Sequence, residues 1–202
     1  MIAVKTYDKI AQVYAREFFK DKIDLKHLDK FLLLLPKEAK ILDVGCGPGN
    51  YTKYMMKKRF FVEGIDLSKG MLLIAKKLVP EGTFKIMDMR KLRYPNQLFD
   101  GLCVAYSLYH IASNEASVVL KEFRRVLKPK GIIILMLQEG KGEGIIPEPF
   151  DPMEKMFFKY YKKREIKQLL KEANFKVIYE AERKTRSGLE LKQKKLFIIA
   201  KK

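Results

Sequence analysis

The chain has 202 residues, 48% of them hydrophobic and 33% charged, which suits a globular core and excludes disorder along its whole length. Two cysteines, Cys46 and Cys103, are too few for a disulfide-stapled scaffold. The net charge is +18, from 42 Lys and Arg against 24 Asp and Glu. That excess suits either an anionic partner such as RNA or the surface of a protein of thermophile-like composition, because the lysines are spread along the chain and Asn and Gln are sparse.

No apolar run nears the roughly 20 residues that span a bilayer, and residues 1–20 lack the apolar block of a signal peptide. No membrane association is therefore expected, and the expected compartment is cytoplasmic.

Periodicity predicts a helix over 7–19, with Ile10, Val13, Tyr14 and Phe18 on one side, and a second over 25–34 closed by Pro36. His27 on that second helix reads as a surface residue. A buried strand over 40–44 runs into the tight loop Gly45-Cys46-Gly47-Pro48-Gly49, and a helix starts at Asn50 or Thr52. A second strand over 60–65 ends at Asp66, and Ser68 is a suitable N-cap for a helix running to 78. A third strand over 84–87 precedes Asp88, and a fourth covers 99–105. A helix over 115–127 is stopped by Lys128-Pro129-Lys130-Gly131, and a fifth strand covers 132–137. Residues 138–152, dense in glycine and proline, read as a loop and a candidate lid. A helix over 164–173 and strands over 175–182 and 195–200, joined by a polar loop over 183–193, complete the chain.

Alternating strands and helices predict an α/β fold. The sheet is expected to be Rossmann-like and doubly wound, with seven mostly parallel strands, a C-terminal antiparallel hairpin strand and helices on both faces. One domain is expected over 1–202, with an N-terminal helical cap at 1–36, a cofactor-binding core at 37–140, and a lid loop with substrate-side elements at 141–202.

The strongest chemical signal is strand, glycine loop, helix, strand, acid. Gly45, Gly47 and Gly49 allow a sharp turn and close approach of a ligand. Asp66 lies 19 positions after Gly47, where a carboxylate can accept from both ribose hydroxyls of a nucleoside. A dinucleotide loop reads GxGxxG, whereas here the third glycine comes one residue early and Asn50 stands in its place. That spacing fits a phosphate-free ligand with a zwitterionic end, S-adenosylmethionine, with Asp43 as an acceptor near its ammonium.

The segments 41–50, Val62 with Glu63-Gly64-Ile65-Asp66-Leu67-Ser68, and Met87-Asp88-Met89 resemble the first three motifs of class I S-adenosylmethionine-dependent methyltransferases, in the small-molecule group similar to the methyltransferase-11 and UbiE-like enzymes. Residues 99–110, 123–131 and 160–175 resemble that family's fourth strand, helix-turn-strand signature and penultimate helix. The resemblance implies cofactor contacts at Tyr7, Tyr14, Asp43, Gly45, Cys46, Gly47, Gly49, Asp66, Leu67, Met71, Asp88, Met89, Ala105 and Tyr106. It implies direct in-line transfer, with S-adenosylhomocysteine as product and no metal. Asn174 stands where the family has glycine, and asparagine tolerates a left-handed helix cap.

Tyr7 and Tyr14 either cover the cofactor or pack on the sheet. His110 and Tyr106 are candidate catalytic residues at the carboxyl edge of the sheet, and His110 is either a general base or a residue that orders its loop. Cys46 and Cys103 read as packed residues. Phe157, Phe158, Tyr160 and Tyr161 line the acceptor pocket or fill the core.

The place of the Asn/Asp-Pro-Pro-aromatic tetrad of exocyclic-amine enzymes holds Ala105-Tyr106-Ser107-Leu108, and the Pro-Cys nucleophile of cytosine-C5 enzymes is absent. A small-molecule acceptor is therefore expected. The alternatives are an RNA or protein methyltransferase using the basic surface, a non-catalytic cofactor-binding subunit, and a nicotinamide-dependent oxidoreductase.

Overall fold

The computed structural model describes residues 2–186 and 191–202. Two helices, α1 (Ile2–Phe18) and α2 (Leu25–Leu33), precede the sheet. Helix α1 starts well before the expected position, and the face it buries carries Ala3, Thr6, Ile10, Ala11 and Ala15, with Val13, Tyr14 and Phe18 only partly covered. Five strands follow, with a helix between each pair except β3 and β4: β1 (Lys40–Val44), α3 (Asn50–Lys57), β2 (Phe61–Asp66), α4 (Lys69–Leu78), β3 (Thr83–Ile86), β4 (Phe99–Ala105), α5 (Ser113–Val126) and β5 (Leu127–Gln138). The hairpin strands β6 (Glu143–Pro147) and β7 (Lys155–Lys159) follow, then α6 (Lys163–Glu172), β8 (Lys176–Arg183) and β9 (Lys195–Lys201).

The main sheet has seven strands in the order β3-β2-β1-β4-β5-β9-β8. Strands β1 to β5 pair in parallel, and β9 pairs antiparallel to both β5 and β8. Alternate side chains feed opposite faces, as the two-residue period of a strand requires. Leu42, Val44, Leu102 and Val104 join the core with α5 and α6, while Ile41 and Cys103 join the core with α2. Both faces of the central strands are covered, which is why they read as continuous apolar runs.

Ser68 caps α4 as expected, accepting from the Met71 amide at 3.1 Å. Asp8 of α1 reinforces that end, its Oδ1 accepting from Ser68 Oγ at 2.7 Å and the Gly70 amide at 2.8 Å. Asn174 adopts φ 59°, the left-handed conformation expected of it.

Three expectations are corrected. Helix α5 passes directly into β5, which begins at Leu127; Lys130 takes φ 65° and a register shift lies opposite, between Phe99 and Gly101, so Lys128 to Gly131 form an irregular strand rather than a stop. Residues 138–152 are not all loop, because β6 lies within them and pairs with β7, from Glu143 opposite Lys159 to Pro147 opposite Lys155. His27 is buried rather than on the surface, stacked on Phe197 with ring centroids 3.7 Å apart and with Nδ1 2.9 Å from the Tyr179 hydroxyl. Part of the polar loop expected over 183–193 lies outside the described residues.

Candidate active site

The chain reverses after β1 through Gly45, Gly47 and Gly49, at φ 69°, 52° and 83°. At Gly45 a Cβ would stand 2.3 Å from Ser107 Cβ, so only glycine lets the loop lie against the β4 tip. At Gly47 a Cβ would meet nothing within 4 Å, and this residue faces a cleft. Asp66 Oδ2 accepts from the Gly47 amide at 2.9 Å, and Oδ1 accepts from the Ser68 amide at 2.9 Å. The β2 tip thereby clamps the glycine loop, and each carboxylate oxygen keeps a lone pair for a ligand. Burial raises the Asp66 pKa, with the Ser68, Gly47 and Leu67 amides opposing it.

The cleft lies over the carboxyl ends of β1, β2 and β4, under α1 and the β6–β7 hairpin, and its empty space including the open mouth is about 1500 Å³. Tyr7, Tyr14, Gly45, Cys46, Gly47, Asp66, Leu67, Met71, Asp88, Met89, Ala105, Tyr106 and His110 all lie on its wall. Asp43 and Gly49 do not. Asp43 is buried behind the loop, where its Oδ2 accepts from Thr52 Oγ1 at 2.6 Å and desolvation pushes its pKa up to about 7. It supports the loop from beneath. The Cβ position of Gly49 points at Phe84, 3.0 Å away.

Asp88 lines the cleft but is engaged. Burial works against its charge, and the Arg90 guanidinium outweighs that and holds the pKa below the usual carboxylate value. Arg90 reaches both oxygens, with Nη2 2.6 Å from Oδ2, and also pairs with Glu115 at 2.9 Å.

His110 ends a short turn after β4 (Leu108–His110). Its Nδ1 lies 2.9 Å from the Phe157 carbonyl, which can only accept, so Nδ1 carries the proton. Nε2 then accepts from the Tyr7 hydroxyl at 3.0 Å. Burial lowers the His110 pKa to about 4, so the ring is neutral near pH 7. Its acceptor nitrogen is committed to Tyr7, which favours the ordering role over that of a general base. Tyr106 takes φ 56°, an uncommon conformation for a bulky residue, and its hydroxyl donates to Asp24 at 2.6 Å. Asp24 is also held by Arg183, at 2.6 Å from Nε and 2.9 Å from Nη2. Of the four C-terminal aromatics, only Phe158 is on the cleft wall; Tyr161 is fully buried.

Sequence reasoning missed Asp21, Asp24, Glu148, Phe150 and Lys195, which also line the cleft. The described lining thus carries five carboxylates, Asp21, Asp24, Asp66, Asp88 and Glu148, against one amine, Lys195. This is an acidic cleft in a chain of net charge +18. Among the described residues, no group of three or more His, Cys, Asp or Glu could hold a metal ion, and no helix is long and apolar enough to cross a membrane.

Residues 41–131 match the family described as a methyltransferase domain. The chain is 30% identical over 140 residues to a demethylmenaquinone methyltransferase of Thermotoga maritima, covering 66% of this chain and 60% of that protein. It is 28% identical over 130 residues to a dTDP-3-amino-3,6-dideoxy-alpha-D-glucopyranose N,N-dimethyltransferase of Streptomyces fradiae, covering 64% of this chain and 50% of that protein. The matches therefore span only about half to three fifths of these relatives' length. The crystal structure of Burkholderia thailandensis 1,6-didemethyltoxoflavin-N1-methyltransferase, which holds S-adenosylhomocysteine, superposes with TM-score 0.75 at 18% identity, over 100% of this chain and 87% of that one, a likeness of fold. The glycine loop, Asp66, Asp88 and the β4 tip all lie inside the segment that matches the methyltransferase domain, so the cofactor-side half of the chain carries the likeness to S-adenosylmethionine-dependent methyltransferases.

Proposed function

We propose that the chain binds S-adenosylmethionine in this cleft and transfers its methyl group directly to a small-molecule acceptor, releasing S-adenosylhomocysteine. The observation that carries the reading is the Asp66 clamp on the Gly47 amide, beside a glycine whose open side faces the cleft. The donor set fits this group. Asp66 would take the ribose hydroxyls with its spare lone pairs, and Met89, beside the Arg90-held Asp88, would flank the adenine. Tyr7 and Tyr14 would cover the ligand from α1. A pyrophosphate would instead meet an excess of carboxylates, which weighs against a dinucleotide and against an RNA backbone entering the cleft.

When bound, the sulfonium supplies an activated methyl group, so the protein's task is alignment of the acceptor and exclusion of water. Helix α1 and the β6–β7 hairpin close over the site for that purpose. Thr6 Oγ1 donates to the Lys155 carbonyl at 2.5 Å, Lys9 pairs with Glu154 at 2.5 Å, and Tyr7 reaches His110. His110 acts by holding Tyr7 in place.

The test is a methyl-transfer screen with labelled S-adenosylmethionine against fractionated metabolites and RNA. Label in a metabolite fraction is the expected result; label only in RNA would establish the basic-surface alternative instead.

A further inference from the structure

Glu148 follows β6 and is only 2% exposed. Its Oε2 accepts from the amides of Phe150 at 2.6 Å and Asp151 at 3.0 Å, which shapes the tip of the hairpin. Among the described residues Oε1 has no hydrogen-bond partner, and the side chain lines the cleft. That oxygen opens onto the cleft, where a ligand can supply the donor that water otherwise gives.

The surroundings say what kind of ligand that is. Tyr14 packs against Tyr7 with ring centroids 5.8 Å apart, and against Phe150 at 6.1 Å. Burial raises the pKa of both phenols, and the nearby Glu148 charge raises them further, so these rings stay neutral where they line the cleft. A carboxylate oxygen open to a cleft that aromatic rings also line, where Arg90 and Arg183 hold Asp88 and Asp24 but Asp21, Asp66 and Glu148 keep their charge for the cleft, suits a cationic nitrogen rather than a carbanion or a phosphate.

We propose that the methyl acceptor is an alkylamine whose nitrogen is held by Glu148 Oε1 against the wall formed by Tyr7, Tyr14 and Phe150. This rests on the methyltransferase reading above and names its substrate class. The alkylammonium docks as a cation and reacts as the free amine after losing one proton to solvent. Its lone pair then forms the new N–C bond as the C–S bond breaks, with the bonding pair staying on sulfur. The product nitrogen is left cationic and gives up its surplus proton to Glu148 Oε1, which passes it to water. The raised pKa that burial gives Glu148 suits it to hold that proton briefly.

The test uses the whole chain saturated with S-adenosylhomocysteine, titrated by calorimetry with phenethylamine, 2-phenylethanol and 3-phenylpropanoate. The amine should bind about tenfold or more tightly than either isostere. Glu148→Gln keeps a side-chain oxygen for the Phe150 and Asp151 amides while placing an NH2 group toward the cleft. That variant should unfold at the wild-type temperature and bind S-adenosylhomocysteine unchanged, yet lose the preference for the amine. Binding of the alcohol or the acid as tightly as the amine overturns the proposal, as does an intact amine preference in the variant or no binding of the amine at all. Failure of S-adenosylhomocysteine itself to bind overturns the methyltransferase reading instead.

Discussion

The hydroxyl of Tyr7 donates to Nε2 of His110 across 3.0 Å, joining the first helix to the turn that follows β4. The same ring donates from Nδ1 to the Phe157 carbonyl, so one neutral imidazole ties α1, the β4 tip and β7 together above the cleft. Because burial lowers its pKa from 6.5 to about 4, the unfolded chain carries a proton between those values that the folded chain lacks. Stability from this group is complete above pH 6.5 and is lost as pH falls toward 4. Replacing it by His110→Gln should flatten the pH dependence of thermal unfolding in that window by on the order of 2 kcal/mol, less than the full shift gives because the ring is partly open to the cleft. Measuring the difference between the two proteins cancels Asp43, whose raised pKa acts with the opposite sign in an overlapping range. Parallel pH profiles would contradict the assignment.

Asp24 is shared by Tyr106 and Arg183, which come from β4's tip and the end of β8. Its side chain and that of Arg183 are 5% and 12% exposed, so the pair is largely cut off from water. Arg183→Ala strands the buried carboxylate and should cost about 3 kcal/mol. Tyr106→Phe removes one hydrogen bond and should cost about 1 kcal/mol. Chemical denaturation of both variants checks the ranking, and equal losses would refute it.

Asn174 is exposed and left-handed at the end of α6. Asn174→Gly should stabilise the chain by roughly 0.5 kcal/mol, a rise of roughly 1–2 °C in Tm, because glycine adopts that conformation without steric cost. Asn174→Val should lower Tm. Scanning calorimetry reads both, and a fall in Tm with glycine would show that the asparagine contributes something beyond the cap.

The sheet and the glycine loop were legible because their signals are local. Gly45, Gly47 and Asp66 follow directly from strand ends that apolar runs mark, and the Ser68 cap is visible three residues before its amide partner. The acceptor side was not legible. Asp24 meets Arg183 across 159 positions, and Glu148 reaches the cleft only because β6 and β7 pair. Those strands hide behind Gly140, Gly142, Gly144 and Pro147, and β6 alternates between exposed and half-buried residues without a buried apolar run. The direction in which Asp43 points was not legible for a different reason. Its place beside the loop is correct, but the pleat turns its side chain beneath the loop toward Thr52. His27 looks polar among lysines, and only the distant Phe197 shows why it is buried.

The account stands on the Asp66-clamped loop as a nucleoside site. Isothermal titration of the chain with S-adenosylhomocysteine, with NAD as control, tests it most directly. The account predicts saturable binding of the first and none of the second, with Asp66→Ala weakening binding by about 2 kcal/mol, or roughly thirtyfold. No heat with S-adenosylhomocysteine, equal binding of NAD, or full affinity in Asp66→Ala would contradict it.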